Sequence, residues 1–229
     1  MPDALMLFTA GKGTRMGSLT RDFPKPLIKV AGRPLVDHAL DLVSPMPELR
    51  VVANLHAHAD KLEAHLSQSG LVLSDERDAL LETGGGLRKA IPLLNSSPVF
   101  TLNSDAVWKG PNPLECLKLA WDPNKMDALL LLIPSDNAIG HNGRGDFALE
   151  NNGRIFRGGP YVYTGAQVIK TERLAEIEED AFSLNALWDI LIQSGRVFGT
   201  VYSGSWCDVG RPENITLAEN MLKGNADVS

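Results

Sequence analysis

The chain has 229 residues, is 44% hydrophobic and 22% charged, and carries a formal net charge of −6 with a pI near 5.4. That balance is ordinary for a globular protein. The acidity argues against a general nucleic-acid or membrane-surface binder, so any anion site must be a local cluster of cations. Two cysteines, Cys116 and Cys207, exclude a secreted-type disulfide framework and a four-thiolate metal site.

In chain order, "ALMLFTA" from Ala4 reads as a buried strand and "PLVDHALDLV" (34–43) as a helix with Pro34 at its first position. "RVVANL" (50–55) is a strand, "HADKLEAHLSQSG" (58–70) a helix ending at Gly70, and "LVLSDE" (71–76) a third strand. "GGLRKAIPLL" (85–94) reads as a short helix entered through glycines, and "PVFTLN" (98–103) as a fourth strand. "PLECLKLAWD" (113–122) is helical and "MDALLLLIP" (126–134) a buried strand, far shorter than the ~20 residues of a membrane helix. "DFALENNGRIFR" (146–157) alternates around Asn152-Gly153, a hairpin signal, and "PYVYTG" (160–165) is another strand. "SLNALWDILIQSG" (183–195) is an amphipathic helix with Ser183 as its N-cap. "RVFGTVYSG" (196–204) is a strand, "ENITLAENMLKG" (213–224) a closing helix, and 225–229 a frayed end.

The βαβα alternation predicts an α/β fold: a Rossmann-like three-layer sandwich with a mostly parallel central sheet and a smaller lobe near the hairpin. A single domain over 1–229 is expected, in two halves of about 1–135 and 136–229 that share the sheet. The apolar run at Ala4–Phe8 is too short for a signal-peptide core, and a reducing cytoplasm is the expected setting.

The stretch after the first strand, "AGKGTRMGSLTRDFPKPL", joins a glycine turn to Lys12, Arg15 and Lys25. It fails the P-loop pattern, because the second glycine and its lysine are missing. It also fails the dinucleotide pattern: Met16 stands where a third glycine belongs, and Pro24 and Pro26 replace the helix. What remains suits a free triphosphate, with main-chain N–H groups and a bidentate arginine against a dense anion. Elsewhere, Asn103-Ser104-Asp105 ends an apolar strand and is either a metal-holding carboxylate or an Asx turn; Asp208 in "WCDVG" is either its partner or a turn acid. "ETGGG" (82–86) either lets backbone approach a flat base or turns the chain into a helix. These stretches follow the first, third and fourth strands and the strand before residue 208, and the ends of parallel strands face one crevice. His56, His58 and His65 lack the cysteines or acids of a zinc site, and no nucleophile elbow is present.

"AGKGTRM", "LT" and "PKPLIKVAGRPL", in that order and spacing, resemble the signature of the sugar-1-phosphate nucleotidyltransferases. The later "LNSD", "YVYTG" and "WCDVG" fall in that family's order, and "ETGGG" with "GRGDF" resembles its bacterial uridylyltransferase branch of cell-wall recycling. The chain departs from the signature in having Gly17-Ser18 for Arg-Pro and Phe8-Thr9 for small apolar residues; it also lacks the Glu-Lys-Pro segment of the glucose and mannose enzymes. The resemblance implies transfer of a nucleotidyl group from a nucleoside triphosphate, UTP in that branch, to a sugar 1-phosphate, N-acetylmuramate 1-phosphate in that branch, with release of pyrophosphate. It implies Ala10, Gly11, Lys12, Gly13, Thr14, Arg15, Lys25, Glu82, Gly84, Gly85 and Asn103 at the nucleotide, with Arg15, Lys25 and Asp105 catalytic. It implies Mg2+ on Asp105 and Asp208, and Asp146, Thr164 and Gly165 at the sugar, with Arg144 as the cation for a sugar carboxylate. A monomer or weak homo-oligomer is expected. The competing readings are a mannose- or glucose-1-phosphate enzyme, a nucleotide-binding homologue without turnover, and a dinucleotide oxidoreductase.

Overall fold

The computed structural model describes residues 1–224, so the fraying expected at 225–229 lies outside the described residues. β1 (Ala4–Phe8) leads into two 3-10 turns, Thr14–Thr20 and Lys25–Leu27, and then into the short strands β2 (Lys29–Val30) and β3 (Arg33–Pro34). Next come α1 (Leu35–Val43), β4 (Arg50–Leu55), α2 (Ala59–Leu66), β5 (Val72–Asp75) and α3 (Glu82–Leu94). β6 (Val99–Asn103), β7 (Ala106–Lys109), α4 (Pro113–Ala120), β8 (Ala128–Pro134) and β9 (Ala138–Ile139) follow. The chain then forms β10 (Phe147–Leu149), β11 (Ile155–Arg157), β12 (Tyr161–Ile169), α5 (Leu184–Gln193), β13 (Val197–Val201), β14 (Ser205–Asp208) and α6 (Glu213–Lys223).

Among the described residues, nine strands make one mixed, mostly parallel sheet. β5, β4, β1 and β6 are parallel neighbours. β12 lies antiparallel between β6 and β8, and β13 pairs parallel with β8. Side chains alternate across β1. Leu5 and Leu7 join Val36, Leu62, Leu66 and Leu117 of α1, α2 and α4; Ala4 and Met6 join Leu87, Leu94, Leu187 and Leu191 of α3 and α5. Helices thus cover both faces, which is why a central strand such as β8 is apolar at every buried position, from Ala128 to Ile133. The result is the three-layer α/β arrangement expected from the alternation.

Four local expectations change. The helix at 58–70 stops at Leu66, and Gly70 turns the chain at φ 72° beyond it. α3 starts at Glu82, so Gly84, Gly85 and Gly86 lie inside the helix and do not form its entry turn. The strand at 160–165 continues to Ile169, because Gly165, at φ 88°, is a bulge where the register with β8 shifts and not an end. The hairpin at Asn152-Gly153 forms, but β10 and β11 extend the edge of the large sheet. The distinct small sheet is β7-β14-β9, whose Val107 and Cys207 pack with Ala218 of α6. Among the described residues no helix is long and apolar enough to cross a membrane.

Candidate active site

The parallel strands end at a crevice made of three adjoining cavities of about 340, 490 and 210 Å³, and Asn103 at the end of β6 lines all three. The smaller two meet at Asp105, and the larger two share Thr83 and Ser183.

The 340 Å³ cavity is walled by the turn after β1. Thr9, Ala10, Gly11 and Lys25 line it, with Asn54, Glu82 and Asp105. Asn54 fixes this turn: its Oδ1 accepts hydrogen bonds from the N–H groups of Thr9 at 2.8 Å and Ala10 at 3.3 Å. The Thr9 hydroxyl donates to the Asn54 carbonyl. The departure from a small apolar residue at Thr9 therefore ties β1 to β4. Asn54 Nδ2 donates to the buried Glu76 at 2.9 Å, so the turn rests on a polar network behind the cavity wall. Gly13 sits at φ 63°, and a Cβ there would fall 2.9 Å from the Lys25 Cβ, so the glycine lets the turn lie against Lys25. Lys12 is exposed; neither it, Gly13 nor Thr14 lines a cavity described here.

Lys25 is buried, and its Nζ donates to Asp105 Oδ2 at 2.7 Å. Burial opposes ionisation of Asp105, but the Lys25 ammonium and the Arg15 guanidinium outweigh it and hold the carboxyl below the usual range. The second carboxylate arrives by strand register: β14 pairs antiparallel with β7, with Asp208 opposite Ala106, the residue after Asp105. The Val209 N–H donates to the Asp105 carbonyl at 2.8 Å and closes the corner. Burial and then the neighbouring Asp105 charge push the Asp208 carboxyl up, against the pull of Lys25, Arg15 and His141. A Cβ at Gly210 would fall 2.8 Å from Asp208 Oδ2 and 3.2 Å from Arg15 Nη2, so this glycine leaves room beside both charges. Two converging carboxylates, one of them made costly to ionise by burial and by its neighbour's charge, could together hold a divalent cation that also binds phosphate oxygens. Among the described residues no group of three or more acids, histidines or cysteines could hold a metal alone.

The 490 Å³ cavity lies on the other side of Asn103. Arg15, Asp146, Phe147, Arg157, Tyr163 and Trp188 line it. Asp146 Oδ2 accepts from the Tyr163 N–H at 2.8 Å, which fixes the carboxylate at the cavity wall. Thr164 and Gly165 line the 210 Å³ cavity with Asp146 and Asp208. The Thr164 hydroxyl is spent on the Leu131 carbonyl at 2.7 Å. Gly165 brings the bulge against Asn103: a Cβ would fall 2.8 Å from that residue's own Cβ.

Six expected residues are not on these walls: Lys12, Gly13 and Thr14 of the turn, and Gly84, Gly85 and Arg144. The N–H groups of Gly84 and Gly85 both donate to the Phe182 carbonyl, at 2.8 and 3.1 Å. Their missing side chains admit the Phe182 ring and the Asp180 carbonyl, each 2.3 Å from a built Cβ. These glycines serve helix packing, and Glu82 and Thr83 form the wall where a base contact was expected of them. Arg144 is exposed and lines none of the three cavities. Sequence reading in turn passed over Thr83, His141, Arg157, Tyr163, Asn185 and Trp188 as wall residues. Of the neighbouring wall only Ser183 carried a local signal, as a helix cap; its Oγ accepts from the Asn185 N–H.

The chain resembles known proteins in sequence and in fold. Residues 5–146 match the model of the MobA-like NTP transferase domain. The chain is 41% identical, over 96% of its length and 97% of the relative's, to an N-acetylmuramate alpha-1-phosphate uridylyltransferase of Caulobacter vibrioides. It is 30% identical, over 90% of its length and 92% of the relative's, to the enzyme of that name from Neisseria meningitidis serogroup B. Its fold superposes with a TM-score of 0.75 on the inositol-1-phosphate CTP transferase of T. maritima, at 19% identity, covering 100% of this chain and 98% of that one.

Proposed function

The chain belongs to the MobA-like NTP transferase family and is a sugar-1-phosphate nucleotidyltransferase, and from that premise we propose that its nucleotide is UTP, its sugar N-acetylmuramate 1-phosphate and its metal Mg2+. The observation that carries the reading is the meeting of the three cavities at Asn103, where the 210 Å³ cavity carries the Asp105–Asp208 corner between the other two. The triphosphate-suited turn opens on one side, and the cavity with Asp146 and the aromatic wall opens on the other.

In this reading the uridine half occupies the 340 Å³ cavity, with Glu82 and Thr83 at its wall and the triphosphate along Ala10 and Gly11. The sugar occupies the 490 Å³ cavity, where Asp146 accepts hydrogen bonds from ring hydroxyls. The sugar phosphate oxygen attacks the α-phosphorus; that P–O bond forms as the bond to the β-phosphate bridging oxygen breaks, and pyrophosphate leaves with the electron pair. The attacker is already an anion, so no general base is required. The barrier is the approach of two polyanions in line, and this chain answers it with position and charge. Arg15, which lines both sugar-side cavities, grips an oxyanion between the substrates. Lys25, held by Asp105, presents a point charge toward the triphosphate. Mg2+, when bound at Asp105 and Asp208, would neutralise phosphate charge as it develops. The setting we propose is cytoplasmic, where nucleoside triphosphates are available, in the reuse of a cell-wall amino sugar.

The test is a pyrophosphate-release matrix of UTP, CTP, GTP and dTTP against N-acetylmuramate, N-acetylglucosamine, glucose and mannose 1-phosphates, with and without Mg2+. The highest kcat/KM is expected for UTP with N-acetylmuramate 1-phosphate, abolished by chelation. Equal or better use of glucose or mannose 1-phosphate would overturn the sugar assignment, and binding of UTP without turnover of any pair would favour a nucleotide-binding homologue.

A further inference from the structure

An acidic amino sugar, the substrate class of the reading above on which this inference rests, brings a carboxylate that glucose-type sugars lack. A buried carboxylate is costly unless it meets a cation or several N–H donors. The cations on the wall of the 490 Å³ cavity are Arg15 and Arg157. Arg15 also lines the 210 Å³ cavity beside Asp208, where phosphate chemistry requires it. Arg157 lines only the larger one of these two, away from the carboxylate corner.

Arg157 is built to hold still. It ends β11, in register with Phe147 of β10, next to Asp146. Its Nε donates to Asp189 Oδ1 at 2.8 Å, its Nη1 to Asn185 Oδ1 at 2.8 Å and its Nη2 to the Asn185 carbonyl at 3.0 Å. Its guanidinium lies 5.1 Å from the centre of the Phe147 ring and 5.5 Å from that of Trp188. Its Nη2 also lies 2.7 Å from Asp189 Oδ1, so of the guanidinium's five N–H groups the second one on Nη1 is left for a ligand. Asp189 is 57% exposed, so water screens its charge and it acts on Arg157 more as an anchor than as a neutraliser. Asp146 and Arg157 therefore give one cavity two opposite chemistries, an acceptor for hydroxyls and a planar donor for a carboxylate.

We propose that Arg157 is the residue that selects the acidic sugar: its charge and its free Nη1 N–H receive the carboxylate of the ether-linked side arm, with the arm lying along Trp188. Arg144, exposed and off the cavity wall, has no part in it.

The test is kcat/KM with UTP for N-acetylmuramate 1-phosphate and N-acetylglucosamine 1-phosphate, in wild type, Arg157→Ala, Arg157→Gln, Arg157→Lys and Arg144→Ala. Binding of N-acetylmuramate 1-phosphate is measured in parallel by calorimetry. Arg157→Ala and Arg157→Gln are expected to lower kcat/KM for the acidic sugar by about tenfold or more, mostly through KM, and to weaken its binding to match. Use of the neutral sugar should change by no more than about twofold. Arg157→Lys should recover part of the loss, and Arg144→Ala should behave as wild type. A wild type that prefers the acidic sugar, with Arg157 variants that keep the preference, would overturn this inference alone. A wild type without the preference would overturn the sugar assignment and this inference with it.

Discussion

At the scale of single residues, charge placement decides the outcome of most substitutions near the crevice. Lys25 and Asp105 form a 2.7 Å pair with side-chain exposures of 9% and 33%. Lys25→Ala strips a semi-buried carboxylate of its partner. It is expected to cost about 1–3 kcal/mol of stability, less than a fully buried pair because water reaches Asp105, and at least about tenfold in kcat/KM. Lys12→Ala, at an exposed position off the cavity walls, should change kcat/KM by about twofold at most. Steady-state kinetics with urea unfolding on both variants separates the two effects, and a Lys12 variant worse than the Lys25 variant would invert this picture of the turn. Glu76, behind Asn54, gives a pH signature. Burial pushes its carboxyl up, against the opposing Asn54 hydrogen bond. A raised folded-state value adds stability that is complete below the unfolded carboxyl's value near 4.3 and is lost as pH rises through the folded one. Glu76→Gln removes that loss, so the variant should gain on wild type as pH rises from about 4 to about 8. Urea unfolding across that range measures it; a gap that instead favours the variant most in acid would contradict it. Much of the charged site was legible in the sequence because Arg15, Lys25 and Asp105 sit in short stretches with fixed spacing. Arg157 and Trp188 were not, because a hairpin cation and a helical tryptophan have the same local pattern whether they face water, core or cavity.

At the scale of elements, the glycines mark where sequence reading and structure part. "ETGGG" resembles a turn, since glycine disfavours helix interiors, yet α3 contains all three: the 180–182 segment approaches Gly84 and Gly85 too closely for side chains, and Glu76 with Asn54 crowds Gly86. Close approach leaves no local trace, so propensity pointed the wrong way. Gly165 is the complementary case: glycine reads as the end of a strand, while here it bulges β12 and lets Asn103, shared by all three cavities, stand beside it. Gly165→Ala would place a Cβ 2.8 Å from that of Asn103 at a φ of 88°. It is expected to destabilise by about 2–4 kcal/mol and to lower kcat about tenfold or more in the protein that remains folded, as Asn103 shifts. Melting curves and active-site-normalised kinetics measure the two; wild-type values for both would show that the bulge is not what positions Asn103.

At the scale of the whole molecule, the alternation of strands and helices was enough to anticipate helices on both faces of a mostly parallel sheet. The direction of β12 and the small β7-β14-β9 sheet were not legible, because hydrophobic period reports burial and carries no strand polarity. That small sheet has the longest reach along the chain. It brings Asp208, from the far end of the chain, next to Asp105 at the junction of the cavities, which no reading of either stretch alone could place. Nucleotidyl transfer is expected to take place at this corner. The most direct measurement is Mg2+-dependent pyrophosphate release from UTP and N-acetylmuramate 1-phosphate in Asp208→Asn and Asp105→Asn, with melting curves to verify folding. The expected result is a loss of about a hundredfold or more in kcat in each folded variant; near-normal Mg2+-dependent rates in either would contradict it.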